Sequence, residues 1–385
     1  MPPPSQRRWE IDALRGLMLV LMTLTHLPSR LTSPLGQPFG YVSAAEGFVL
    51  LSGFMAGMVY GKLAVQRGIG PMRQAFFRRA LLVYGCHVAM LAFLFTVIAF
   101  VGVKVDQPAV KDLLSFYLQR PGAGLLGGLL LLYEPPLLDI LPMYILFMLL
   151  SPWAFSLALT RGWMPVLAGS LALWLGAQFG LSELVYGLFQ RGLQLPVPYE
   201  QNGAFNGFAW QLLWVMGLWM GASRHASAPP SFAFPRWAVV LAVLLGAIGF
   251  TWRHAIGQAP FPASPALNLL FDKWQVGPLR LLNLLVLMVL AIRFGPWLAQ
   301  RLPRIRALEI LGAASLPAFC AHLVAVLVVL GTMGNRLDRP WTTDLPLVAG
   351  ALGFMVLVAW LSTRLDRPPG APRRAASAVS ATGAG

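Results

Sequence analysis

Charge is scarce in this chain, and negative charge is scarcest. Only 11% of the 385 residues are Asp, Glu, Lys or Arg, and 14 acidic residues stand against 29 basic ones. Soluble domains carry about 25% charged residues. A chain that is 57% hydrophobic with a mean hydropathy of +0.67 falls outside that class and reads as an integral membrane protein. Cysteine is nearly missing too. Cys86 and Cys320 both sit in apolar runs, so nothing points to a disulfide framework and they read as core residues. Also lacking are a Gly-rich phosphate loop, a Cys/His set at zinc spacing and a serine-nucleophile elbow; Ser52 in "LLSGF" has no local base. The templates of soluble enzymes fail, and no metal or tightly bound cofactor is expected.

What the chain has instead is long apolar runs. A hydrocarbon core takes about 20 mostly apolar residues per helix. Ten stretches qualify: 11–27, 44–61, 77–101, 138–159, 163–180, 205–222, 236–253, 280–296, 306–331 and 343–362. The expected fold is all-α, a polytopic membrane helix bundle of about ten transmembrane helices with both termini cytoplasmic. Charge supports that count. With the N-terminus inside, 18 Lys and Arg fall in inner segments and 10 in outer loops, Arg15 lying within the first helix. Counting "GAGLLGGLLLLYEPP", residues 122–136, as another span would turn this into 13 inside and 15 outside, so the segment reads as re-entrant or interfacial. The excess of +15 is then a topology signal, and nucleic acid is not an expected partner. The first run ends in "HLPSR" with no small-residue cleavage pattern, so it is expected to stay as an anchor. Residues 1–10 form a cytoplasmic segment, 11–363 the transmembrane domain, and the Pro-, Ala- and Ser-rich residues 364–385 a disordered cytoplasmic tail.

Arg15 and His26 are the first polar pair of interest. Eleven residues apart on a helix, they lie three turns plus about 20° from each other and share a face, separated by a rise of about 16 Å. Asp12, one turn before Arg15, is placed to pair with it. Taken singly, Arg15 is an interfacial anchor and His26 a solvated end residue. The ten-span topology adds Glu46, Asp139, Asn206, Gln211 and His322 at the depth of His26. These would meet in a polar chamber opening outward. Each has a plainer reading: Glu46 and Asp139 as interfacial residues, His322 as a structural hydrogen-bonding group, His87 as either. Gly53, Gly57 and Gly61 recur every four residues, a spacing for close helix packing. Trp210, Trp214 and Trp219 read as core or interfacial aromatics.

A cation near one face of the membrane and an imidazole near the other suit a donor that reaches through the bilayer. The phosphates of an acyl-CoA would pair with Arg15, helped by Arg78 and Arg79, since guanidinium groups grip phosphate with two prongs. The pantetheine arm has roughly the length of the gap. At its end a neutral His26 would take the proton of a sugar hydroxyl, with Glu46 or Asp139 orienting the ring.

At these residues the chain resembles the OpgC-type proteins of the acyltransferase family 3 superfamily. The superfamily likeness lies in the Arg-x10-His pattern from Arg15, in "IDALRG", to His26, followed by "EGFVLLSGF". The OpgC-like features are "LDILPMYILFMLLSP", "FNGFAWQLLW" and "LGAASLPAFCAH", in order over residues 8–322. The resemblance implies a ten-helix bacterial inner-membrane acyltransferase that modifies osmoregulated periplasmic glucans, typically with succinyl groups from a cytoplasmic donor such as succinyl-CoA. Its partners would be membrane lipid, the acyl-CoA and the glucan. Carried over, the family's Arg and His fall on Arg15 and His26, its second-helix acidic and Ser-Gly positions on Glu46, Ser52 and Gly53, and its basic pair on Arg78 and Arg79. Two departures stand out: "LLVYG" at 81–85 lacks the family's proline, and "FNGF" replaces "FNPF". Acylation of another extracytoplasmic polysaccharide, solute transport and a non-catalytic role beside a glycan synthase remain open on sequence.

Overall fold

The computed structural model describes residues 9–225 and 232–365; the expected tail, residues 364–385, lies almost wholly outside them. Among the described residues all regular structure is helical. The helices that matter here are α1 (Trp9–His26), α2 (Ala44–Arg67), α3 (Ile69–Lys104), α4 (Pro121–Leu129), α5 (Ile140–Arg161), α6 (Trp163–Ala177), α7 (Leu181–Leu193), α8 (Gly207–Ala222), α9 (Arg236–Ile256), α10 (Pro278–Arg301), α11 (Arg306–Ala313), α12 (Ser315–Met333) and α13 (Trp341–Leu365).

Seven of these are long and apolar enough to cross a membrane: α2, α3, α5, α9, α10, α12 and α13. The bent pair α6 and α7, meeting at 81°, makes an eighth if taken as one span. The chain is therefore a helical membrane protein with seven to eight candidate spans where ten are expected. The shortfall has physical causes. α1 holds Glu10, Asp12 and Arg15 in 18 residues, and α8 is only 16 residues long. The stretch 306–331 is two helices, broken at Ala314, but the second of them still counts among the seven. α4, at nine residues, is about 14 Å long, less than half of a hydrocarbon core, as expected of a segment that does not cross.

Two glycine-lined seams set the core. A Cβ on Gly53 would meet the Trp214 carbonyl oxygen at 2.4 Å, and one on Gly57 the Leu218 oxygen at 2.3 Å. From the other side, a Cβ on Gly217 or Gly221 would meet the oxygens of Leu50 and Phe54 at 2.3 and 2.1 Å. α2 and α8 thus touch backbone to backbone, as the glycine spacing predicts. The second seam joins α1 to α11: Gly16 faces Leu308 and Gly312 faces Asp12, again with no room for a side chain. Trp210 and Trp214 are fully enclosed core residues.

Candidate active site

The α1–α11 seam places Arg15. Its guanidinium is buried and donates to the Gly312 carbonyl, at 3.1 Å, and to Ser315 Oγ, at 2.5 Å. Gly312 lies in the last turn of α11, whose carbonyls have no partner further along that helix, so a cation there meets both the hydrogen-bonding need and the helix dipole. Arg15 thereby stitches the α11–α12 break to α1.

Beside it is a cavity of ≈ 700 Å³, in the size range of small-molecule sites. Arg15, Ser52, Arg79, Tyr144 and Ser315 line it, and Val59, Leu82 and Phe354, all exposed, form part of its rim. Ser52 is buried and its hydroxyl has no hydrogen-bonding partner among the described residues. Arg78 does not join this wall. One residue turns a helix by 100°, so Arg78 and Arg79 cannot both face inward; Arg79 lines the cavity while Arg78 is exposed. Cys86 and Cys320, expected in the core, are half-buried free thiols on the same wall. A second cavity of only ≈ 30 Å³ shares Arg15, Ser52, Arg79 and Tyr144 and reaches Phe48, Ile140 and Phe319. The Phe48 and Phe319 rings lie 6.2 Å apart. Neither cavity is lined by His26; Phe319, which lines the smaller one, also packs against His322, so the expected common passage is narrow on the way from Arg15 to the imidazole.

Beyond the rings lies the His26 group. His26 Nδ1 is 3.2 Å from His322 Nε2, with the imidazoles stacked at 5.4 Å between centroids. His322 Nδ1 donates to the Phe319 carbonyl at 3.0 Å, and the Phe319 ring packs 5.1 Å from the His322 ring. His322 is fully buried, whereas His26 is half-buried. The ring partner of His26 is therefore His322, and not Glu46 or Asp139.

Glu46 has other work. It closes a capping box at the start of α2, where its side chain accepts from Ser43 N at 3.1 Å and from Ser43 Oγ, and it pairs with Arg280 of α10. Both charges are enclosed, and breaking such a pair on one side costs about 3–5 kcal/mol. Asp139 is buried at the start of α5, accepting from Ala204 N at 3.3 Å. Glu134 is buried nearby, its Oε2 2.3 Å from where a Cβ on Gly203 would sit; Gly203 also has φ +74°, so only glycine suits that turn. Burial and the neighbouring Asp139 hold the Glu134 carboxyl well above the usual carboxylate range. Lys273, 4.5 Å above the Trp274 ring, is within electrostatic reach of Glu46, Asp139 and Arg280; burial lowers its ammonium pKa, and the two acids oppose that.

Asn206 and Gln211 are structural rather than chamber-lining. The Asn206 side chain caps α8, accepting from Phe208 N and Ala209 N and from Ser182 Oγ at 2.6 Å. Gln211 exchanges two hydrogen bonds of 2.7 Å with Ser170 of α6. His87 Nε2 bonds the Gly128 carbonyl at 3.0 Å and fastens α4 to α3. Sequence inspection passed over Arg280, Lys273 and Glu134. The signal for the first was available: a buried acid at Glu46 calls for a buried base, and Arg280 opens an otherwise apolar run.

Residues 7–367, nearly the whole chain, match the model of the OpgC protein family. The chain belongs to that family. No curated protein and no solved structure matches it.

Proposed function

We propose that this OpgC protein is a membrane O-acyltransferase, moving an acyl group, succinyl by family resemblance, from a cytoplasmic acyl-CoA to hydroxyls of a periplasmic glucan in the bacterial inner membrane. One observation carries the proposal: the cationic cavity of Arg15 and Arg79 narrows to Phe319, the residue whose carbonyl and ring hold His322 against His26. Donor and base ends are thus one aromatic layer apart.

In the proposed reaction Arg79 meets the donor phosphates and Arg15 shapes the neck. The thioester carbonyl is carried past the Phe48 and Phe319 rings to His26. There the hydroxyl oxygen of the acceptor attacks the carbonyl carbon, its proton passes to His26, the carbon–sulfur bond breaks, and the proton leaves with the CoA thiolate. Fixed alignment of the two substrates supplies much of the rate. All ten stretches then cross the bilayer with both termini cytoplasmic.

The test is the acyl content of periplasmic glucans in a deletion strain complemented with wild type, Arg15→Ala or His26→Ala. Loss of substituents with normal glucan abundance and normal protein level in both variants is the expected result. Full substitution in the His26→Ala strain, or a fall in glucan export, would overturn the proposal and favour an assembly or transport role; loss of substituents from a different polysaccharide would move the acceptor only.

A further inference from the structure

His26 has two ring nitrogens, and a base needs a lone pair on the one that faces substrate. A neutral imidazole carries one N–H and one lone pair, and the hydrogen bond on one nitrogen dictates the other. Here the chain of bonds has a fixed end. The Phe319 carbonyl can only accept, so His322 Nδ1 carries the hydrogen. Phe319 lies three residues before His322 on α12, so this lock is made within one helical turn and does not depend on a distant element. His322 is fully buried, and no carboxylate bonds either ring among the described residues. A charged imidazole enclosed without an anion is strongly disfavoured. His322 is therefore neutral, and its Nε2 offers a lone pair.

That lone pair faces His26 Nδ1 at 3.2 Å, so His26 Nδ1 carries the hydrogen and His26 Nε2 does not. We infer that His322 is a positioning residue: through the relay Phe319 carbonyl, His322, His26 it holds His26 in the tautomer whose Nε2 is free to take a proton. The inference rests on the acyltransferase proposal for its catalytic consequence, but the tautomer itself does not. When His26 Nε2 accepts the hydroxyl proton, the Nδ1–H bond to the neutral His322 strengthens as the charge develops, with no buried carboxylate needed. This is the orienting role otherwise filled by an acid in His-dependent acyl transfer.

Two variants separate positioning from packing. His322→Leu removes the acceptor; His322→Gln puts an amide oxygen near the place of Nε2. Solid-state NMR of the 15N-histidine-labelled protein in lipid is expected to show His26 protonated at Nδ1 in the wild type and in His322→Gln, and a shift of the proton to Nε2 in His322→Leu. With the purified protein, a glucan oligosaccharide and succinyl-CoA, His322→Leu is expected to lower kcat about 10²- to 10³-fold with donor KM within about twofold, while His322→Gln retains most of the rate. An Nε2-protonated His26 in the wild type would overturn the inference, as would wild-type kcat in His322→Leu or equal damage from Leu and Gln. If His26→Ala is fully active while the NMR result holds, it is the acyltransferase proposal that fails and not the tautomer.

Discussion

At the scale of the residue, the same side-chain type has opposite fates according to which face of a helix it occupies. Arg78 and Arg79 are adjacent, yet only Arg79 lines the cavity. A hydrogen bond to a charged group is worth about 1.5–3 kcal/mol, so Arg79→Ala should raise donor KM by roughly ten- to a hundredfold, and Arg78→Ala should leave it within about twofold, both measured by thiol release from acyl-CoA. Glu134 gives a pH signature. Its carboxyl keeps its proton in the folded protein well above its ordinary value of 4.5, because of burial first and Asp139 second. The folded state therefore binds more protons than the unfolded one above that value, and stability falls as pH rises through the interval up to the folded pKa. Glu134→Gln should flatten this fall in a thermal unfolding series in detergent and stabilise the protein most at the alkaline end. An unchanged pH slope in the variant would assign the effect elsewhere.

At the scale of the element, seams and breaks position the chemistry. The α2–α8 contact allows no side chain at Gly57, so Gly57→Val should force the helices apart; with the Leu218 oxygen 2.3 Å from the new Cβ, loss of folded protein on size exclusion is the expected outcome. That seam was legible from the spacing of Gly53, Gly57 and Gly61. Arg15 and Arg79 were legible as cations for one donor, but Ser52, expected among the acceptor or chamber-lining residues, lies on their wall instead, and Arg78, expected beside Arg79, faces away. Asn206 and Gln211 were misplaced because a polar residue at the start of a helix looks the same as a cap or as a ligand group until its partners are seen. The break at Ala314 was overlooked rather than hidden: Gly312 precedes it and Pro317 falls in the first turn of the helix that follows, both ordinary signals of a helix end and a helix start. The topology did place His322 at the depth of His26, and the structure brings the two rings together; that they bond each other directly was not legible. The bond joins residues 296 apart, and nothing in either neighbourhood names the other.

At the scale of the whole molecule, the polar groups divide between two ends of one bundle. Arg15, Ser52 and Arg79 gather at one; His26, His322, Glu46, Arg280, Lys273 and Asp139 gather toward the other. Composition announced the membrane class, but composition and hydropathy could not say which charged or short helices cross. Reporter fusions decide this. A ten-span chain puts a fusion after Leu365 on the same side as the N-terminus, and reporters placed after Arg67 and after Arg161 on that side too; a reporter after Arg161 on the opposite side, with the one after Arg67 unchanged, would change the count by one, as a crossing by residues 122–136 would. The ring pair Phe48 and Phe319 has a consequence for the cell as well as for the enzyme. An open water-filled bore joining the two ends would let protons run down their gradient between turnovers. With the Phe48 and Phe319 ring centroids 6.2 Å apart and only ≈ 30 Å³ of space beside them, the route is narrow and apolar at this level, and a narrow apolar throat limits such a leak.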